Sequence, residues 1–575
     1  MGRDASPAAR PSGRGVGPPA TPKEIAVRSS RPLPSPPPFV AASRFAVAAL
    51  LLSLMVALPA PSARAHGTQG APRVLRVGTW HGIPGPYADI QSAVDAARPG
   101  DWILIGPGDY HEQGDRVHPR SGDAGGGVFV TTSRLHLRGM DRNEVVIDGT
   151  RAGASRCSSA PGDQDFGPLD AWGAPVGRNG VLVFEADGVS VENLTACNFL
   201  DGAYGGGNQI WWNGGDGTGT IGMGPYFGAY LSATSTFFQP GAPQGEYGIF
   251  VSNARGPGSI VHTYASNMAD SSYYIGACPD CNAWLLDAHA QNSALGYSGT
   301  NSGGHLVVGY SEWDHNKTGI STNSQNNDDA PSPQDGACPL DRKGLFGTRS
   351  CTYFIGNRIH DNNNPNVPGS GSADLGPVGT GMVVSGGRHD TIAWNRVEDN
   401  GSWGILLVPF PDTGTPPPIA NCAGGVPNPG GVLGALGVTC YFNDFGNEVR
   451  GNFLRGNGAF GNDTNGDLAD ISDPTDDANC WHGNFDPNGV TTAPPDLQTT
   501  NGKCGVPGQG ADLTSDLAQE VICATQAFGP CAGLPGEPGY PQRTNVALMP
   551  LPRERSMRDP CAGVPRNPWC PGHRF

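Results

Sequence analysis

A short pattern recurs along the chain and limits what it can fold into. An Asn is followed two positions on by a usually apolar residue and, three positions later, by a second Asn. It stands as Asn193…Asn198, Asn357…Asn362, Asn395…Asn400 and Asn452…Asn457, with degenerate copies Ser266…Ser271, Asp287…Asn292 and Ser311…Asn316. A repeat every ~20–50 residues is the mark of a solenoid. In a solenoid of short stacked strands, equivalent residues pile into columns. Asn tolerates a left-handed corner, and its amide can bond to the Asn of the next coil. The position between the two Asn then faces inward, giving a core column of Thr195, Met268, His289, Trp313, Ile359, Val397 and Leu454, with His289 a core histidine. No coil can bury that side alone, so stability comes from stacking. Composition agrees: 87 Gly and 54 Pro in 575 residues exclude a helix bundle or a doubly wound α/β fold, and 37% hydrophobic residues still supply a core.

The N-terminal part reads as a capped entry to such an array. Tyr87–Ala97 places Ile90, Ala93, Val94 and Ala97 on one helical face, with Asp89 as N-cap and Pro99-Gly100 as stop. The strand Trp102–Ile105 and the turn Pro107-Gly108 follow. This stretch, through Tyr110-His-Glu112, resembles the entry motif of right-handed parallel β-helix proteins of the pectin-lyase-like superfamily. The Asn coils resemble the carbohydrate-binding and sugar-hydrolysis repeats of that group. The resemblance covers residues 75–460 and implies an all-β, right-handed single-stranded parallel β-helix with an N-terminal capping helix, and an extracellular polysaccharide as partner. It does not set the reaction, since one fold hosts many chemistries. The Asp-Pro-His-Asp signature of alginate epimerases and the paired-Asp and Gly-His-Gly set of polygalacturonases are absent. Residues 461–575, rich in Asp, Gly, Pro and Cys, read as a disulfide-stapled C-terminal cap or extension, which either hides the last coil or folds back along the helix.

Residues 1–43 read as a disordered leader or a misplaced start. Arg44, the apolar run Phe45–Pro59 and Ala63-Arg64-Ala65 follow, so 44–65 reads as a signal peptide of a secreted or surface-retained protein; the alternative is an uncleaved anchor. Fourteen cysteines, all beyond residue 65, suggest disulfides between neighbours: 157–197, 278–281, 338–351, 422–440, 480–504, 523–531 and 561–570. The net charge of −16 repels nucleic acid and anionic lipid, and no integral membrane partner is evident.

Column register yields the site candidates. Counting back from the second Asn, Asp314, His360, Glu398 and Arg455 share one outward column, Glu312, Arg358 and Arg396 another, and His315, Asp361 and Asp399 lie beside them. Coils stack about 4.8 Å apart, so carboxylates and imidazoles for proton transfer meet guanidinium groups that could hold uronates. The catalytic candidates are Asp314, His360, Arg396, Glu398 and Asp399. Glu312, His315, Arg358 and Asp361 are binding candidates, with Trp211 and Trp212 as a stacking platform for sugar rings. The alternative is a face whose charges pair merely to stay solvated. The run Asn462–Asp477 reads as a loop of Asx turns or as a calcium site through Asp463, Asn465, Asp467 and Asp470. No cofactor is required, and calcium is the one candidate. Two functions are open: a protein that binds, and as hydrolase or lyase cleaves, a polysaccharide, or a non-enzymatic protein offering a long binding face.

Overall fold

The computed structural model describes residues 71–114, 124–326, 332–414, 422–508, 510–526 and 539–572. The leader 1–43 and the signal-peptide segment 44–65 lie outside them. The chain forms a parallel β-helix, with two long sheets of 18 and 11 strands. Each strand pairs in parallel with its equivalent in the next coil.

The 18-stranded sheet folds into two faces because its long strands turn at a left-handed residue. Ala283–Gln291 pairs through its first half with Leu306–Gly309 and through its second half with Glu312–Asp314. Asp287, at φ 49°, stands between the halves. The same corner falls at Asn193, Tyr230 and His262 in earlier coils and at Tyr310, Gly356 and Trp394 in later ones. The next corner is equally regular: Asn198, Asn267, Asn292, His315, Asp361 and Asp399 all have φ between 52° and 66°. Asn, Asp and His are the non-glycine residues most often found there.

The amide ladder occupies a different column, one residue further on. Ser293 donates its backbone N–H to Asn316 Oδ1 at 3.0 Å. Asn316 donates its N–H and Nδ2 to Asn362 Oδ1. Asn362 does the same to Asn400, and Asn400 to Asn457. A parallel ladder joins Asn357, Asn395, Asn452 and Asn484.

Corner and ladder are therefore two columns, and this corrects the expected register. Asn198, Asn267 and Asn292 are corner residues, so the inward column runs Ala196, Ala233, Ala265, Ala290, Trp313, Ile359, Val397 and Leu454. Thr195 and Met268 are buried outside that column, and Thr195 donates to Arg142 O. His289 points outward instead of into the core.

The entry helix spans Ile90–Ala96, with Asp89 accepting from Ser92 N–H and Ile90, Ala93 and Val94 buried. The Glu112 carboxylate accepts from Ile90 and Gln91 N–H, groups with no partner inside the helix. At the other end the solenoid runs past the expected limit at 460. Gly466–Asp470, Cys480–His482 and Thr492–Ala493 continue the same sheets. The helix Asp516–Ala524 then packs Leu517, Ala518 and Ala524 on the outer side chains Val383, Leu406 and Ala469 of the 11-stranded sheet.

Residues 539–572 return as a strap toward the first coils, held by amide side chains. Asn267 both accepts from Met549 N–H and donates to Met549 O. Asn143 pairs in this way with Glu554, and Asn193 with Arg558. Of the two expected courses for the extension, the fold-back is the one this strap takes. Disulfides join 157–197, 278–281, 338–351, 422–440, 480–504 and 561–570; Cys531 lies outside the described residues. No helix among those residues is long and apolar enough to cross a membrane.

Asn362→Ala removes the middle rung of the ladder and leaves buried amide groups of Asn316 and Asn400 short of partners. It is expected to cost about 1–3 kcal/mol, read as a lower urea midpoint.

Candidate functional site

The second face of the large sheet carries the charged columns. One outward column runs Tyr264, His289, Glu312, Arg358, Arg396 and Phe453, and the other Ser266, Gln291, Asp314, His360, Glu398 and Arg455. Between them the inward residues Trp313, Ile359 and Val397 anchor each short strand in the core. Asp314, His360 and Glu398 thus lie on successive coils, as the spacing predicts.

In space this column divides into two clusters. The first joins histidines and carboxylates. His289 Nε2 lies 2.6 Å from Asp314 Oδ1 and His315 Nδ1 2.5 Å from Asp314 Oδ2. His360 Nε2 lies 3.0 Å from Glu312 Oε1 and its Nδ1 2.8 Å from Asp361 Oδ2. Arg358 also pairs with Glu312. The hydrogen bond to His360, with the His289 and Arg358 charges nearby, lowers the Glu312 carboxyl to about 2. Burial raises Asp314, but its bonds to His289 and His315 outweigh this and lower it. Burial disfavours charged His289 and His360, yet the facing carboxylates raise both above the ordinary imidazole value.

The second cluster is locked by arginine. The buried Glu398 is clamped between Arg396 and Arg455, the latter at 3.0 Å. Asp399 lies 3.8 Å from Arg455. A buried carboxylate between two guanidinium groups is held in place and already neutralised. Arg396, Glu398 and Asp399 therefore flank the histidine cluster rather than belong to it.

The open space lies on the other side, in a cleft of about 390 Å³ lined by Arg142, His262, Asp287, His289, Glu312 and Arg358, with Glu554 and Ser556 of the strap. Arg142 is buried, donates to Leu231 O and Ser232 Oγ, and lies 3.9 Å from Glu554. His262 pairs with Asp287 at 2.5 Å and stacks on Tyr230. Sequence reasoning missed Arg142, His262, Asp287 and Glu554 and misplaced His289. The left-handed column shared by His262 and Asp287 was the one signal that could have found part of this set.

Two other expectations change. Trp212 is fully buried in the core and cannot stack on a sugar. Trp211 lies on the 11-stranded sheet, stacked on Phe250 at 4.9 Å, away from the charged face. The four calcium candidates do not converge on one ion. Asp467 accepts from Asn457 and Thr491, and Asp470 from Asn479 and Trp481 Nε1 inside the coil. Asn465 donates to Tyr540, and Asp463 is exposed. Among the described residues, and apart from two groups that include disulfide cysteines, two groups bring ligand atoms within 4.8 Å of one another: Glu312, Asp314 and His360, and Asp109, His111 and Asp148.

No family model and no curated protein matches the chain. Among solved structures it is similar to the A-module of a mannuronan C-5 epimerase from Azotobacter vinelandii, at 16% identity and TM-score 0.39 over 69% of this chain and 90% of that one. It is similar to a pectate lyase at 11% identity and TM-score 0.32, over 67% and 76% of the two chains. The catalytic unit of a GH87 α-1,3-glucanase from Streptomyces thermodiastaticus gives 11% identity and TM-score 0.32, over 75% and 71%. The β-helix itself rests on the strand register described above.

The opposed shifts fix a pH window. Glu312 and Asp314 are lowered, so their contribution to stability is complete above their ordinary values of 4.5 and 3.8 and is lost as pH falls through the lowered ones. His289 and His360 are raised, so theirs is complete below 6.5 and is lost as pH rises through the raised values. The difference in urea midpoint between the wild type and the Glu312→Gln/His360→Gln variant is expected to peak between pH 4.5 and 6.5. A difference that does not change with pH would contradict the assignment.

Proposed function

We propose that the protein is exported, binds an extracellular polysaccharide along the second face, and cleaves it, as a hydrolase or lyase, at the histidine–carboxylate cluster. One observation carries the reading: imidazoles raised and carboxylates lowered in one cluster reach an open cleft through His289 and Glu312. Titratable groups whose surroundings push their pKa values apart are the arrangement proton transfer uses. The carboxylates facing His360 and His289 raise both imidazoles above the ordinary value, so either can protonate a leaving glycosidic oxygen and take a proton back. Asp314 and Glu312 orient the rings. Arg358 supplies guanidinium donors for sugar hydroxyls or a uronate carboxylate, with the buried Arg142 as a fixed positive charge behind the cleft. His315, Asp361, Arg396, Glu398 and Asp399 would flank the scissile bond as binding subsites. The six disulfides among the described residues fit an oxidising compartment.

A second reading has its own support. Glu398 is bound on both sides by arginine, and Glu312 is shared between Arg358 and His360, as on a face whose charges only keep it ordered and solvated. Under it the protein is a non-enzymatic binding solenoid.

Reducing-end release over a panel of neutral and acidic polysaccharides, with calcium and with chelator, separates the two. Both hydrolysis and elimination create a reducing end. Release by the wild type, with about a 10²–10⁴-fold lower rate in His360→Gln and Asp314→Asn, is the result expected of proton-transfer groups. Glycan binding without release from any member of the panel would leave the binding solenoid.

A further inference from the structure

We propose that Glu312, Asp314 and His360 form a binding site for a divalent transition metal of the zinc class. The inference rests on the reading of the cleft given above for any role in turnover, where a metal held by His360 leaves His289 as the proton donor, but metal binding itself is measured without glycan.

The argument starts from His360. Both of its ring nitrogens face carboxylate oxygens, Nδ1 toward Asp361 at 2.8 Å and Nε2 toward Glu312 at 3.0 Å. An ionised carboxylate only accepts, and a neutral imidazole has a single N–H. One of these contacts therefore repels unless a cation sits there: a second proton or a metal ion. A second proton satisfies both contacts, and a metal ion on Nε2 takes its place there while drawing in a further ligand. Asp314, on the adjacent coil, brings a third ligand atom, and all three lie within 4.8 Å of one another. Asp314 and His360 are each only 7% exposed, so both aim into the cluster rather than into water.

The surroundings match what metal-binding histidines require. A ligating imidazole usually donates its other N–H to a carboxylate, which fixes the tautomer and leaves the second nitrogen free for the metal. Asp361 is placed to accept that bond. Asp314 has its own supports, His289 and His315, one on each oxygen, and each oxygen keeps a further lone pair. One imidazole and two carboxylates suit zinc and its neighbours better than calcium or magnesium, which favour oxygen ligands alone. Three protein ligands, of which Glu312 lines the cleft, leave a position for water or a substrate oxygen, as in catalytic zinc sites. Arg358, the cation now beside Glu312, has a side chain 53% exposed and can turn to solvent.

Calorimetric titration of the purified full-length chain with Zn²⁺ alone, after chelator dialysis and with disulfides intact, tests this. The described cysteines offer no free thiol to compete. One ion per chain is expected, with affinity lost in His360→Ala and Asp314→Asn and lowered about 10–100-fold in Asp361→Asn. Equal Ca²⁺ or Mg²⁺ should not displace it. Metal-free melting of each variant shows that it folds, and His360→Gln stands in if His360→Ala does not. The absorption spectrum of the Co²⁺-substituted wild type gives a readout free of any variant and should show nitrogen–oxygen ligation. No uptake, uptake that survives loss of His360, or uptake lost in His111→Ala instead would overturn the proposal, the last placing the ion at Asp109, His111 and Asp148. Zinc binding without glycan turnover would sustain the site while removing the enzyme reading.

Discussion

Everything on the charged face depends on the buried side-chain amides that tie coil to coil. Each ladder Asn short of the last gives its backbone N–H and Nδ2 to the Oδ1 of the next coil, and Nδ2 also reaches a main-chain oxygen of the coil before. Asn362 Nδ2 reaches Trp313 O and Asn395 Nδ2 reaches Phe354 O, both at 3.0 Å. A buried amide left without partners costs about 1–3 kcal/mol, so the ladder has a strong preference for one register. Side chains alternate along a strand, and a slip of one residue would send the inward Trp313 to solvent and the outward Asp314 into the core. By fixing register, the amides decide which charges meet on the outside.

The fold was largely legible in the sequence and the site only in part, for one reason. Periodic Asn residues announced a solenoid, and the columns Asp314–His360–Glu398 and Glu312–Arg358–Arg396 could be aligned because those coils share the second Asn of the pattern, Asn316, Asn362 and Asn400. Asn serves two purposes, however: the left-handed corner and the ladder next to it. Where a coil has Asn only at the corner, as at Asn292, alignment on that Asn shifts the coil by one residue and turns His289 from outside to inside. In the coil of Asn316 the corner residue is His315, so no single letter marks the corner throughout. Trp212 was misread for a related reason: in adjacent tryptophans of one strand one must face inward, and composition cannot say which.

The strap was out of reach of local pattern. Glu554 and Ser556 border the cleft only because residues 539–572 return along the solenoid, held by Asn193, Asn267 and Asn143 through paired amide–backbone bonds. These early-coil asparagines serve the returning chain, Asn267 while still accepting from Asn292 of the next coil. The same economy explains the charges. Buried ions are tolerated only with partners, and stacked coils supply them from residues far apart in sequence: Arg138 for Glu192, Arg455 for Glu398 and Glu312 for His360.

That last pair offers the most direct test of the register. Glu312 and His360 are separated by the insertion that carries Cys338 and Cys351, and they meet only if the coils on either side stack as described. A double-mutant cycle of Glu312→Gln and His360→Gln, read by urea unfolding at pH 5.5, measures whether they do. The account predicts a coupling energy above about 0.5 kcal/mol that shrinks as the imidazole loses its proton at higher pH. Additive effects within that margin at every pH would mean that the two side chains are not neighbours, and would contradict the alignment on which the site rests.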